Sequence, residues 1–494
     1  MNFPKLPLNR RRLLQIALAF PVFQARSQVP AASQVGAAAG AAAPASGWAR
    51  FRGPNGSGVG VGRGYPSELN VAKNLVWRFP VPPGKGSPIL VDNRLVLTAD
   101  QPGKPKVICL DPATGKALWE RSIPTTRTTA RHTLNSAASP TPAGDGKNIY
   151  VFFSDAGLIS FDMSGRERWN VPLGPFASLW GVASSPVLAD GAVILQVDGF
   201  YDCYIAAFEQ STGKERWRIP RESNSHNYST PIVRLARDGR PEILALGPHS
   251  VIAYDPANGE KRWVADAPAG NIVGSLAMSA DTLFCTSYQS EAPISFGPDL
   301  QARDKNHDGV LSDGEFGTDD RSRALKSAAQ FMGNRDGILD AEEYAATVRE
   351  WKGVSEARGI RLESATGGGM RTRTLWSRPR NVPHCPTPLL YEGVLYLLAN
   401  GGILTTLDPN TGEPIKVGRL AGALGSYYAS PVAVDGKIYC VSESGTVSVV
   451  KAGRDWELLA TSPLDEDCFA TPTLANGRVY VRTEASVFCF GERR

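Results

Sequence analysis

One phrase recurs along this 494-residue chain: an apolar run closed by Asp or Glu, a turn ending in Gly, and a Trp four residues beyond the Gly. It reads LDPATGKALW (Leu110 to Trp119), FEQSTGKERW (Phe208 to Trp217) and YDPANGEKRW (Tyr254 to Trp263). FDMSGRERW (Phe161 to Trp169) is one residue shorter, and LDPNTGEPIK (Leu407 to Lys416) keeps the turn without the Trp. Self-similarity at a fixed period constrains a fold more tightly than any local propensity, because each unit must bury its faces against its neighbours.

A second marker keeps step with the first. Ser-Pro or Thr-Pro stands at Pro88, Pro140, Pro186, Pro231, Pro388, Pro431 and Pro472, with gaps of 52, 46, 45, 157, 43 and 41 residues. The long gap conceals one more start, Ser275-Leu276, which lies 45 residues after Pro231 if counted to Leu276. Eight repeats follow, the fifth carrying roughly 70 extra residues over an ordinary blade. Within most units, short β-branched and aromatic runs alternate with Asp-Gly or Asn-Gly turns, about four strands per repeat. The reading is all-β: an eight-bladed β-propeller of four-stranded antiparallel blades. The last repeat offers three strands (TPTL, RVYV, SVFCF), and a spare LVWRFP at Leu75 to Pro80 precedes the first repeat. An N-terminal strand completing the last blade removes two exposed sheet edges and places Trp77 where Trp119 stands in the first blade. A Trp repeated in every blade is a packing residue, wedged between blades, rather than a platform for a ligand.

Residues 1–49 hold five basic side chains and no acidic one, so the whole-chain charge of +5 falls to zero without them. No basic surface remains for a nucleic acid. Residues 1–30, with NRRRLLQ ahead of the short apolar run LLQIALAF, read as an export signal of twin-arginine type, with an ordinary secretory signal as the alternative. Residues 31–47 read as an Ala-rich tether. The mature chain is expected outside the cytoplasm, periplasmic or extracellular, soluble, monomeric and without a membrane span. Seven cysteines leave at least one unpaired, and their spacing does not disclose a pairing; Cys109, Cys285, Cys440 and Cys489 sit in apolar strand runs as small buried thiols do.

The propeller is read over 48–296 and 367–494, with an insert at 297–366 in the fifth blade. There DKNHDGVLSDGE, Asp304 to Glu315, matches the EF-hand calcium loop throughout. Asp304, Asn306 and Asp308 supply side-chain oxygens, Gly309 the sharp turn, Val310 a carbonyl, Ser312 the ninth position and Glu315 two closing oxygens. A degenerate partner, MGNRDGILDAEE, keeps Asn334, Asp336, Ile338, Asp340 and Glu343 but has Met332 where a carboxylate belongs. Tyr344, Val348 and Trp351 fall on one helical face behind Asp340 as N-cap. A helical EF-hand pair with one strong Ca²⁺ site is expected. In a calcium-rich compartment such a site stays filled, so its role is structural or docking. If APISF, Ala292 to Phe296, is the third strand of the blade, the insert falls between strands three and four.

The Asp…Thr-Gly…Trp phrase in eight units, together with WARFRGPNGSG at Trp48 to Gly58, resembles the quinoprotein (PQQ-type) propeller repeat family, which includes PQQ-dependent alcohol dehydrogenases and an outer-membrane assembly lipoprotein. For a quinoprotein enzyme the resemblance implies a central funnel holding the quinone, a Ca²⁺ bound by Glu and Asn, a catalytic Asp, a Trp floor and often a disulfide between adjacent cysteines. This chain has no adjacent cysteines, and no Glu-Asn-Asp set matches residue by residue. Funnel residues are expected just before each Ser-Pro or Thr-Pro: Asn135, Trp180, His226, Asn227, Tyr228, Asn271, His384, Tyr427, Tyr428 and Asp467. Trp180 is the candidate floor, Asp467 the candidate base, and Asn135 or Asn271 a candidate ligand. His132, His226 and His384 together suggest a metal at the mouth, although loop hydrogen bonding explains such residues as well. No catalytic set assembles from these segments. The chain therefore reads as a calcium-binding scaffold whose funnel takes an unknown protein or small molecule. A PQQ-dependent dehydrogenase of alcohols or sugars, and an outer-membrane protein assembly factor, are the alternatives.

Overall fold

The computed structural model describes residues 47–492 apart from 102, 130, 177, 179, 200–201, 222–226, 237, 290–295, 332–333, 335, 346–353 and 366–368. The expected signal at 1–30, most of the tether, and Met332, Val348, Trp351 and His226 lie outside the described residues.

Each repeat folds as a meander in chain order, such as Ile89–Val91, Arg94–Gln101, Lys104–Leu110 and Ala117–Ser122 in blade one. Eight such four-stranded antiparallel sheets form an eight-bladed propeller. Blade eight is completed from the other end of the chain. Leu75–Pro80 pairs antiparallel with Ser486–Phe490, Trp77 opposite Cys489, outside Arg478–Arg482 and Thr473–Ala475. The expected closure is what the structure has.

The repeated Trp joins blade to blade. The indole N–H of Trp77 donates to Pro112 O (3.1 Å), Trp119 to Met163 O (3.1 Å), Trp169 to Gln210 O (3.0 Å), Trp217 to Pro256 O (2.9 Å) and Trp376 to Pro409 O (2.9 Å). Every acceptor lies in the turn of the following blade. The turn glycine there has a positive φ and faces the same ring, so a side chain at that position would collide with it. Three blades depart from the rule, blade seven because its fourth strand, Glu457–Pro463, carries no Trp. Trp263 turns back to Glu242 Oε1 of its own blade (3.1 Å), because blade five offers no Thr-Gly turn. In blade six Lys416 replaces the Trp, and its ammonium sits 4.8 Å over the ring of Trp456 in blade seven.

Blade five corrects the sequence reading. Its strands are Ala277–Met278, Thr282–Ser287, Glu356–Ser364 and Met370–Arg378. The third strand is thus EARGIRLES and not APISF, of which Phe296 alone is described, and the insert lies between strands two and three. The insert ends before Glu356, short of the expected 366, because charges hide the strand: Arg358 pairs with Glu356 (2.6 Å), and Arg361 with Asp281. The insert carries helix α1 (Gly297–Arg303) and helix α2 (Asp320–Phe331) around its own apolar cluster of Phe296, Leu311, Leu325, Ala328, Leu339 and Tyr344. Among the described residues, no helix is long and apolar enough to cross a membrane.

Candidate functional site

The innermost strands begin on a closed circle of hydrogen bonds. The backbone N–H of Ser87 donates to Thr141 Oγ1, Thr141 to Ser185 Oγ, Ser185 to Thr230 Oγ1 and Thr230 to Ser275 Oγ. Ser275 continues to Thr387 Oγ1, Thr387 to Ser430 Oγ, Ser430 to Thr471 Oγ1, and Thr471 returns to Ser87 Oγ. All eight distances are 2.9 or 3.0 Å. This is the physical meaning of the Ser-Pro and Thr-Pro marker: a short hydroxyl accepts from the preceding blade at the crowded axis, where a larger side chain would not fit. Ser275 takes its place in the circle although Leu follows it. In blade two the member is Thr141-Pro142 and not Ser139-Pro140, the next dipeptide along the chain.

Above this circle opens a cavity of about 460 Å³. An extended chain points alternate side chains the same way, so the residues two places before each circle member also face the axis. They are Lys85, Ser139, Ala183, Tyr228, Val273, Cys385, Tyr428 and Phe469, and all eight line the cavity. Asn135, Trp180, Asn271, Tyr288 and His384 complete its upper wall. Of the residues expected there, Asn135, Trp180, Tyr228, Asn271, His384 and Tyr428 are brought together.

Three are not; two of them follow the alternation, whereas His384, at the same offset of three, still reaches the wall, where it stacks on Tyr288. Asn227 and Tyr427 precede their circle members by three residues and face away from the axis. Asn227 Nδ2 donates to Asp198 Oδ2 (2.6 Å) and Leu246 O (2.7 Å), and the buried Tyr427 hydroxyl donates to Ala423 O (2.7 Å). Asp467, the candidate base, is exposed and outside the cavity lining. His226 lies outside the described residues. The count of two back from each circle member would have found Lys85, Cys385 and Phe469 in the sequence; nothing in the sequence signals Tyr288, which follows a second strand.

The wall is built from aromatic pairs. Trp180 lies 4.2 Å from His132, Tyr288 4.1 Å from His384, and Tyr428 5.1 Å from Phe469, centroid to centroid. Such tilted pairs hold each ring in place and leave a flat face toward the cavity. The Lys85 ammonium lies 3.2 Å from the centroid of Phe469 and 3.2 Å from Glu484 Oε1. Burial lowers the pKa of His384, raises the Cys385 thiol to about 12, and pushes Tyr228 well above and Tyr428 to about 12. Each shift favours the neutral form near pH 7, the opposite of a proton-transfer site.

The donor set does not fit a calcium–quinone pair. Asn135 and Asn271 are present as amide oxygens, yet among the described residues no Asp or Glu lines the cavity. A hard divalent cation wants carboxylate oxygens, and a quinoprotein base wants an ionised carboxylate; neither is present there. Of the candidate histidines, His132 and His384 stack on separate rings, and among the described residues no three His, Cys, Asp or Glu side chains gather as a metal cluster.

In the insert, the loop oxygens are turned inward. Asp304 accepts from the N–H groups of His307 (2.7 Å) and Gly309 (3.0 Å), Asp308 from Val310 (3.0 Å), and Glu315 from Lys305 (2.8 Å) and Ser312 (2.9 Å). These N–H donors, led by that of Ser312, hold the Glu315 carboxyl at a pKa of about 2. Leu311 and Leu339, at the eighth place of each loop, exchange two backbone hydrogen bonds of 2.9 Å. Asp340 Oδ1 accepts from Glu343 N–H (2.7 Å), capping the helix that begins at residue 341. In the second loop Asp336 accepts from the Ile338 N–H (2.8 Å) and Glu343 from that of Asn334 (2.8 Å).

A closed eight-bladed ring with an axial aromatic funnel, which no carboxylate lines among the described residues, defines the class. Residues 69–305 match a family model described as outer membrane protein assembly factor BamB. Over 118 residues the chain is 29% identical to the quinohemoprotein alcohol dehydrogenase ADH IIB of Pseudomonas putida, a stretch spanning 23% of this chain and 17% of that relative. The fold is similar to that of BamB from Moraxella catarrhalis (TM-score 0.54, 13% identity, covering 85% of this chain and 99% of that one). It is also similar to quinohemoprotein alcohol dehydrogenase from Comamonas testosteroni (TM-score 0.53, 14% identity, 92% and 82%). The chain carries the PQQ-type propeller repeat, the family that its recurring phrases resemble.

Proposed function

We propose that this protein is an exported, calcium-binding propeller that works as a binding scaffold, its funnel taking a ligand with a flat apolar face. The observation that carries this is the wall itself: three aromatic pairs and Tyr228 around the axis, with His384, Cys385, Tyr228 and Tyr428 held neutral and, among the described residues, no carboxylate to run acid–base chemistry. Trp180 is 37% exposed and makes a built-in reporter. Titration with flat ring compounds is expected to quench its fluorescence saturably in wild type and not in Trp180→Phe. Dye reduction with added PQQ and calcium is the opposing test: sustained turnover of an alcohol or sugar overturns the scaffold reading.

For the insert we propose an EF-hand pair with calcium at Asp304, Asn306, Asp308, Val310, Ser312 and Glu315. The loop pattern, the Leu311–Leu339 pairing and the Asp340 cap support it. Glu343 closes a weaker second loop. Calorimetry is expected to show one tight calcium step that Glu315→Gln or Asp304→Ala abolishes.

The matched family model favours a second reading, an assembly factor that binds outer-membrane proteins. Capture of a purified outer-membrane assembly protein by the immobilised propeller would place the ligand among proteins and not small molecules.

A further inference from the structure

We infer that the hydroxyl circle is an anion-binding site, which seats an acidic group, carboxylate or phosphate, borne by the flat ligand of the funnel. The inference rests on the binding reading above and names the chemistry of the ligand's inner end.

Each of the eight hydroxyls accepts a hydrogen bond from the neighbouring blade, and none donates one to another described residue. All eight residues are buried, from 2 to 4% exposed, and all face the cavity. A buried donor without an acceptor is costly, so eight idle O–H groups on one axis call for an acceptor placed between them. The hydroxyl oxygens are fixed as acceptors for backbone N–H groups, which leaves each hydrogen free to turn inward.

The charge beneath the circle points the same way. Arg52 is fully buried, and its guanidinium meets only carbonyl oxygens: Gly56 O (3.1 Å), Ser57 O (3.2 Å), Pro388 O (3.0 Å) and Pro431 O (3.1 Å). Pro388 and Pro431 directly follow the circle members Thr387 and Ser430. On the other side, Arg50 Nη2 donates to Pro231 O (2.7 Å), one residue below Thr230, and its buried Nε has no partner. Phe51, between the two arginines, reaches into the cavity from below. Among the described residues neither guanidinium meets a carboxylate, and burial lowers Arg52 to about 9 and Arg50 to about 10. Isolated buried cations are costly, and an anion above them would offset that cost through a medium of low dielectric. Water would satisfy the hydroxyls but leave both charges uncompensated. From above, Lys85 adds a third cation, shared with Glu484. Among the described residues no carboxylate lines the cavity to repel an anion; Glu443 acts on Tyr428 only from the rim.

The test compares benzoate, its neutral isostere benzamide, and inorganic phosphate on the full chain, read by calorimetry and Trp180 fluorescence. Benzoate is expected to bind at least tenfold more tightly than benzamide, and Thr230→Val/Thr387→Val to erase that preference while circular dichroism stays native. The wild-type comparison decides the matter even if the double variant does not fold. Competition by phosphate shows that free anions also enter, and failure to compete restricts the site to ligand-borne acids. Equal binding of benzoate and benzamide overturns the anion site and leaves the flat-ligand reading standing. Binding of phosphate with no response to either ring compound keeps the anion site and removes the flat-ligand reading. No saturable binding of any of the three overturns both.

Discussion

Gly115 of blade one lies face-on against the indole of Trp77 from blade eight, so close that a Cβ at Gly115 would stand 2.5 Å from Trp77 Cδ2. The same pairing repeats at Gly165 with Trp119, Gly213 with Trp169, Gly259 with Trp217 and Gly412 with Trp376. At Gly115 the contact also seals the ring, because Trp77 sits on the strand supplied by the chain's N-terminal side. Gly393 has a similar φ of +76° against +73° at Gly115, yet nothing lies within 4 Å of its would-be Cβ. Gly115→Ala and Gly393→Ala therefore share the backbone penalty and differ only in the collision. Denaturant unfolding is expected to show Gly115→Ala less stable than Gly393→Ala by about 1–3 kcal/mol, the cost of overpacking a filled site. Equal losses would mean the Trp does not hold the blades together.

The ring was legible in the sequence because its two joints are made of residues with narrow alternatives. A hydroxyl that must fit the axis leaves a mark in every blade, and a Trp that must meet a bare glycine leaves one in five of them. Where several residue types serve, the mark fades. Glu356 and Arg358 on one face, and Arg361 and Glu363 on the other, interrupt the third strand of blade five and conceal it, since ion pairs satisfy those positions as well as apolar packing would. The funnel was legible in its segments but not in its side chains. Asn227 and Tyr427 sit in the right segments one residue out of phase, whereas Tyr228 and Tyr428 are in phase. Tyr288 reaches the cavity from a loop whose course depends on the whole blade.

Being out of phase gives Asn227 a different task. Asp198 is fully buried and accepts from Arg221 Nε (2.9 Å), Asn227 Nδ2 (2.6 Å) and Gln196 Nε2 (2.7 Å). This knot ties blade three to the first strand of blade four. Asp198→Ala strands the buried Arg221 cation and is expected to cost about 3–5 kcal/mol, whereas the Asp198→Leu/Arg221→Met pair, which removes both charges, should cost much less. Urea unfolding of the two variants and the wild type checks the order; a double variant as unstable as Asp198→Ala would show that shape, and not charge, is at stake.

The insert should loosen in acid through Glu315. Its carboxyl titrates at about 2 in the folded loop against an ordinary 4.5, so the folded state favours the ionised form. That contribution is complete above pH 4.5 and is lost as the pH falls from 4.5 toward 2. Limited proteolysis without calcium is expected to cut the insert faster at pH 3 than at pH 5 in wild type. Glu315→Gln, which cannot ionise, should be cut quickly at both values. An unchanged pH response in Glu315→Gln would assign the effect to another group, and Asp319, likewise held at about 2 chiefly by the Ser322 hydroxyl, is the next to replace.

The seven cysteines make a chemical test of the whole ring. None forms a disulfide, six are buried, and Cys385 faces the funnel half-buried. Burial raises Cys203 to about 11 and each of the others, Cys385 included, to about 12 against an ordinary 9.0. Three units leave roughly a thousandth of the usual thiolate, the only form that alkylates. Native protein treated with iodoacetamide at pH 8 is therefore expected to stay unlabelled by mass spectrometry, and to take seven labels in guanidinium. Cys385 is the informative exception because it alone touches the cavity. Rapid labelling confined to Cys385 would mean that its thiol ionises in the funnel, and the neutral wall on which the binding reading depends would have to give way to one holding an anionic nucleophile.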